Sequence, residues 1–138
     1  MTALARTIAA FQGWRRYALA FAFGAIPFGA VAPLHILPVL PVAFTGLMWL
    51  LGGAGDSKRR FAILWLFAWG HFIGSFYWIG YAFFVDAAQF GWLVPGPVLG
   101  LPALVAFLPA ATATLALHLA PSGVRRILAF ALAWIAAE

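Results

Sequence analysis

Long runs of apolar residues, separated by short polar and basic clusters, form the dominant pattern along this chain. Each run is close to the length of a helix that crosses the ~30 Å hydrocarbon core of a bilayer. The pattern predicts five helices, over residues 16–32, 39–51, 61–85, 98–119 and from 127 onward. The predicted fold class is therefore all-α, a polytopic transmembrane helix bundle with about four complete spans and a truncated fifth.

The basic residues fall only on alternate connections between the predicted helices. They form three clusters, which are Arg6, Arg15 and Arg16, then Lys58, Arg59 and Arg60, and finally Arg125 and Arg126. Alternating crossings would place all three clusters on one side of the membrane, and the positive-inside rule makes that side cytoplasmic. We therefore expect a multi-pass protein of an inner or cytoplasmic membrane, with its N-terminus in the cytoplasm.

The first two predicted helices and the last one are short for a complete membrane crossing. Residues 16–32 and 39–51 would give only roughly 24 and 20 Å of helix. They could cross fully or form a re-entrant hairpin buried in protein. The stretch after Arg126 reaches only about 18 Å, and ending there would leave a carboxylate in hydrocarbon. We expect residues 1–138 to be a single transmembrane domain, the N-terminal fragment of a longer protein.

Composition narrows the possible function classes. Only 8% of the residues are charged and 66% are hydrophobic, whereas a soluble domain carries roughly 25% charged residues. The net charge of +5 is divided among short clusters between apolar runs, so we expect no nucleic-acid binding. The sequence contains no cysteine, which excludes disulfides and a thiol nucleophile within these residues.

His71 is the most unusual polar residue, because it falls near the middle of the third predicted helix. An ionisable group at that depth should face the bundle interior. It is either a substrate-path or proton-relay residue, or a packing residue with an interhelical hydrogen bond. His35, His71 and His118 should lie at the outer side, the middle and the inner side of the membrane, each about half a bilayer from the next, so we expect no metal site. We also expect no cofactor.

Aromatic residues and one carboxylate supply the other candidates for contact with substrate or lipid. Tyr77 and Trp78 belong to an aromatic-rich outer half of the third helix, which is either an interfacial belt or a wall around an acyl chain. Glu138 is a carboxylate in an apolar helix, and such a residue is a functional candidate by default. Gly70 and Gly74 have the small-xxx-small spacing that lets another helix approach closely.

Six stretches, taken in order, resemble the N-terminal membrane part of bacterial apolipoprotein N-acyltransferases. They are FGA at residues 23–25, PLHILP at 33–38, RRF at 59–61, GHFIGSFYWI at 70–79, LGLPAL at 99–104 and ALAWIAAE at 131–138. Their order and spacing together are more specific than any single motif. The resemblance covers nearly the whole chain.

The resemblance implies an enzyme that transfers an acyl chain from a phospholipid to the N-terminal diacylglyceryl-cysteine of bacterial lipoproteins. In that family, eight membrane helices carry an extracytoplasmic nitrilase-like domain with a Glu-Lys-Cys triad, whose cysteine forms a thioester. This chain has no cysteine, and its one lysine, Lys58, lies in a predicted cytoplasmic loop. We therefore carry over no catalytic residue and expect the nitrilase-like domain to be absent and the fragment to be inactive alone.

By resemblance, Tyr77, Trp78 and Glu138 would shape or support the lipid-accessible mouth beneath that domain. The implied setting is a monomer in the bacterial inner membrane, with phospholipid as acyl donor and lipoproteins as acceptors. Two other functions remain open from the residues alone. One is a small transporter or channel-like bundle with His71 on its pathway, and the other is a non-catalytic membrane scaffold that packs through Gly70 and Gly74.

Overall fold

The computed structural model describes residues 3–11, 13–30, 38–120 and 123–137, and every regular element within them is helical. The α-helices are α1 (Ala3–Ala10), α2 (Trp14–Ala25), α3 (Val39–Gly52), α4 (Ser57–Phe76), α5 (Ile79–Ala82), α6 (Ala87–Phe90), α7 (Leu101–Val105), α8 (Phe107–Leu119) and α9 (Val124–Ala137). Two 3₁₀ helices (Ile26–Ala30 and Gly91–Leu93) and a π-helical turn (Gly96–Gly100) complete the set. The all-α prediction is confirmed for these residues.

The first two predicted helices correspond to α2 and α3. The α2 helix ends at Ala25 and continues as the 3₁₀ helix Ile26–Ala30, which contains Pro27. A proline in a helix removes a backbone donor and forces a local change of geometry. The α3 helix follows Pro38 and carries Pro41 in its first turn, where the missing N–H groups cost no intrahelical bond. His35, together with the rest of residues 31–37, lies outside the described residues.

The third predicted helix ends earlier than the sequence predicted. The α4 helix stops at Phe76 instead of continuing to Val85. Beyond it, the backbone N–H groups of Gly80 and Tyr81 donate to carbonyls only three residues back. Glycine and aromatic residues are poor helix formers, and the side chains of Val94 and Val98 pack against Gly80. Local propensity and this contact together replace the predicted straight helix with tight turns.

The predicted connection at residues 86–97 is also wrong, because most of it is helical. A run of 33 residues, Ala87–Leu119, is the one helix in the described parts of the chain that is long and apolar enough to cross a membrane. Pro95 and Pro97 fit into it because the chain widens into a π-helical turn there, which accommodates backbone groups left without partners. The helical run that ends with α8 therefore begins well before residue 98, where the sequence predicted the helix to start.

The α4 helix occupies the centre and packs against α2, α7 and α8. Its closest approach is to α2, where Gly24 and Gly70 face each other across the crossing point. A Cβ atom added at Gly70 would lie 2.5 Å from the carbonyl oxygen of Phe21, and one at Gly24 would overlap the carbonyl of Phe67. A Cβ at Gly74 would lie 2.9 Å from the Cβ of Phe28. The small-residue face of α4 is thus occupied within the chain.

Arginine side chains donate hydrogen bonds to the loop that connects α3 to α4. The guanidinium of Arg16 is the one charged group buried among the described residues, with 6% exposure. Its Nε donates to the carbonyl of Phe11 and its Nη1 to the carbonyl of Gly53, both at 2.7 Å. The Nε of Arg60 donates to the carbonyl of Ala54 at 3.4 Å. The bonds to Gly53 and Ala54 satisfy carbonyls just after the end of α3, and the bond to Phe11 satisfies one just after α1.

Candidate functional site

An apolar groove of about 670 Å³ separates α3 from α9. On one side of it α3 packs against α2, and on the other side α9 packs against α8. The residues that line this α3–α9 groove are Leu40, Pro41, Phe44, Thr45, Met48, His71, Ile127, Phe130, Ala131, Trp134 and Ile135. None of these eleven residues is charged, so the groove suits a long apolar ligand better than a polar one.

Three aromatic rings that line this groove contact one another, and the buried ring of Phe67 packs against two of them. The ring of Phe44 on α3 lies 5.5 Å from that of Trp134 and 6.3 Å from that of Phe130, both on α9. Phe67 on α4 lies 5.5 Å from Trp134. Edge-to-face pairs at these separations are favourable beyond their buried area. The sequence analysis did not single out Phe44 or Phe130, although the i, i+4 spacing of Phe130 and Trp134 would place them on one helix face.

His71 is the predicted site residue that the structure places in the α3–α9 groove. Its imidazole is partly buried, with the ring centroid 6.2 Å from that of Trp134 and 5.4 Å from that of Phe72. The hydroxyl of Ser75 donates to the backbone carbonyl of His71 at 3.2 Å. That bond follows the ordinary i−4 pattern of serine in helices. Ser75 therefore bonds to the backbone of its own helix.

Tyr77 and Trp78 lie apart from the groove, at the break between α4 and α5. Both side chains are exposed. The ring of Tyr77 packs edge-on against Phe28 at 5.4 Å and contacts Tyr81 at 6.1 Å. The structure therefore places neither Tyr77 nor Trp78 beside His71. Glu138 lies outside the described residues, and the last described turns of α9 place Trp134 and Ile135 in the groove.

The described side chains supply few groups for chemistry. Over residues 3–11, 13–30, 38–120 and 123–137, no group of three His, Cys, Asp or Glu side chains could hold a metal ion. Asp56 accepts a hydrogen bond from the backbone N–H of Arg59 at 2.7 Å and so caps α4. Asp86 lies at the start of α6, in the segment after the aromatic turns. What the arrangement offers is an apolar binding surface with one imidazole beside it.

Residues 23–138 match the family described as the apolipoprotein N-acyltransferase N-terminal domain. The chain belongs to this family. The resemblance inferred from the sequence motifs is confirmed. All eleven residues that line the groove fall within the matched region.

Curated relatives give the same result. A protein from Rhodopseudomonas palustris named apolipoprotein N-acyltransferase is 41% identical over 103 aligned positions, which cover 71% of this chain and 19% of the relative. Relatives of the same name from Brucella melitensis and Allorhizobium ampelinum are 40% and 37% identical and cover 98% and 95% of this chain. The chain spans 27% and 26% of those two proteins. No solved structure matches the chain.

Proposed function

We propose that this chain is the membrane-anchor part of a lipoprotein N-acyltransferase. The proposed reaction transfers an acyl chain from a phospholipid to the N-terminal diacylglyceryl-cysteine of a bacterial lipoprotein. The observation that supports it is the family match over residues 23–138. The chain contains no cysteine, so we propose that the catalytic Glu-Lys-Cys residues belong to a further, nitrilase-like domain and that residues 1–138 alone are inactive. We propose that the enzyme is a monomer.

The proposed location is the bacterial inner membrane, crossed several times, with the N-terminus in the cytoplasm. Large apolar side chains are exposed along α8 and α9, including Leu108, Leu115, Leu132 and Ile135. Exposed apolar surface of this extent is costly in water and favourable against lipid. The basic residues at the starts of α2, α4 and α9 support the orientation.

Reporter fusions test this topology at three points. Alkaline phosphatase fused after Gly55 or Gly123 should be inactive, whereas the same enzyme fused after Gln89 should be active outside the membrane. Equal reporter activity at all three points would contradict the alternating arrangement. Activity after Gly55 and Gly123 but not after Gln89 would reverse the orientation.

Within this proposal, the α3–α9 groove accommodates an acyl chain of a membrane phospholipid. Its lining is aliphatic and aromatic, and His71 and Thr45 are the polar side chains among the eleven. An acyl chain in the bilayer is already surrounded by hydrocarbon, so its gain on entering the groove comes from closer van der Waals contact with these side chains. His71 would then contact the chain, while Tyr77 and Trp78 would contact lipid at the end of α4.

A pair of substitutions on α9 tests the groove separately from the fold. Ala131 lines the groove and Ala136 is exposed away from it. Replacing Ala131 with Trp should fill the groove. The yield of cross-linking between the protein and a phospholipid with a photoactivatable acyl chain should then fall sharply. Replacing Ala136 with Trp should leave the yield unchanged. Equal yields from both variants would show that the chain binds elsewhere.

The enzymatic proposal needs the complete reading frame. Expressed from the complete reading frame, the protein should acylate a diacylglyceryl-peptide in phospholipid vesicles, and residues 1–138 alone should not. Acylation by residues 1–138 alone, or a following domain without glutamate, lysine and cysteine at its centre, would overturn the proposal.

A further inference from the structure

A second pocket, of about 180 Å³, lies between the first turns of α2 and α4. Its lining residues are Gly13, Arg16, Tyr17 and Arg59, and we call it the basic pocket. It shares no lining residue with the α3–α9 groove. Its volume corresponds to roughly six water molecules, which is enough room for a group the size of a phosphate.

The charges around the basic pocket favour an anion. Two arginines, Arg15 and Arg16, occupy the first turn of α2, while Lys58, Arg59 and Arg60 occupy the first turn of α4. The N-terminal end of a helix is the positive end of its dipole, so cations are unfavourable there and anions are favourable. The sequence therefore places five cations where a helix prefers the opposite charge.

One carboxylate only partly offsets this positive charge. The Oδ2 of Asp56 lies 3.6 Å from the Nε of Arg59, and both side chains are more than half exposed. The hydrogen bonds of Arg16 to the carbonyls of Phe11 and Gly53 hold its guanidinium in place without cancelling its charge. The pocket thus presents a fixed, buried arginine on one wall and an exposed arginine on the other.

We propose that the basic pocket binds the phosphate of an anionic phospholipid in the leaflet on the basic side of the membrane. Guanidinium groups match phosphate oxygens in geometry and charge, and basic pockets between membrane helices on the cytoplasmic side are sites for anionic headgroups. Trp14, 74% exposed and next to Gly13 in the chain, is the type of residue that anchors a helix at the headgroup level. The inference rests on the proposed membrane placement but not on acyl transfer.

A binding comparison tests the site with the full chain in detergent. Native mass spectrometry would measure binding of phosphatidylglycerol and of phosphatidylcholine to the wild type, to R59Q and to R125Q. Arg59 is an exposed pocket residue, and a glutamine there keeps the backbone N–H that donates a hydrogen bond to Asp56. Arg125 is exposed at the start of α9, outside the pocket, so its replacement removes the same charge elsewhere.

The wild type should bind phosphatidylglycerol more tightly than phosphatidylcholine. The R59Q variant should bind phosphatidylglycerol roughly fivefold more weakly, with R125Q unchanged. Equal losses in R59Q and R125Q would overturn the proposal in favour of diffuse charge attraction. Equal binding of the two lipids would also overturn it. If inorganic phosphate competed as well per molecule as the lipid, the pocket would be a simple anion site and the lipid assignment would be wrong.

Discussion

Replacing Gly70 with alanine tests the closest helix crossing in the fold. The added Cβ would lie 2.5 Å from the carbonyl oxygen of Phe21 and 3.0 Å from the backbone nitrogen of Ala25. Both atoms belong to the α2 backbone, so relief requires the two helices to separate. Overpacking of this kind costs typically 1–3 kcal/mol, while alanine gains about 1 kcal/mol of helix propensity over glycine. The difference is a net loss of up to about 2 kcal/mol in the free energy of unfolding, and we expect a value near the upper end because both contacts are with backbone atoms.

Gly52 provides the matched control for this substitution. It is the last residue of α3, and a Cβ added there would meet no atom within 4 Å. Gly52→Ala should therefore be neutral or stabilising by up to about 1 kcal/mol. Unfolding by sodium dodecyl sulfate in mixed micelles, followed by circular dichroism, measures both variants. If Gly70→Ala is as stable as Gly52→Ala, α2 and α4 do not cross at backbone contact.

Two further predictions concern single hydrogen bonds. Asp56→Ala should destabilise the chain by about 1 kcal/mol, because Asp56 caps α4. Asp86→Ala is the control and should have little effect, since Asp86 makes no side-chain cap bond at α6. Thermal unfolding compares the two variants, and equal losses of stability would contradict the cap. Trp65→Phe should cost about 1 kcal/mol, because its indole N–H donates to the carbonyl of Ala103 at 2.9 Å. Trp92→Phe is the control, because Trp92 is 76% exposed. If both variants unfolded at the same midpoint in mixed micelles, the Trp65–Ala103 hydrogen bond would not contribute to stability.

Local features of the sequence were enough to predict the helical class and several helix ends. Apolar runs broken by glycine, proline and basic clusters indicate helices directly, since each signal acts within one or two turns. The start of α3 at Pro38 is of this kind, whereas α4 begins at Ser57, four residues before the predicted start at Phe61. The family resemblance was likewise visible in the order of short motifs and is confirmed by the match over residues 23–138.

The errors arose where packing competes with local pattern. The uninterrupted apolar stretch after Phe76 looked helical, but the contacts of Gly80 with Val94 and Val98 accompany tight turns there. The prolines at 95 and 97 looked like a loop, but a π-helical turn keeps them within the long run Ala87–Leu119. A sequence window contains neither the neighbouring helix nor the alternative hydrogen-bond pattern that decide these cases.

The candidate site depended on tertiary structure even more strongly. The sequence identified His71 as an ionisable group within an apolar helix, but it did not show which side chains surround it. Only the packing of α3 on α2 and of α9 on α8 leaves a groove with His71 beside Trp134. The sequence by itself determined the helical class, the basic clusters and the family, because those are properties of neighbouring residues. The structure decided the groove and the basic pocket, because each is built from side chains on helices that are far apart in the chain.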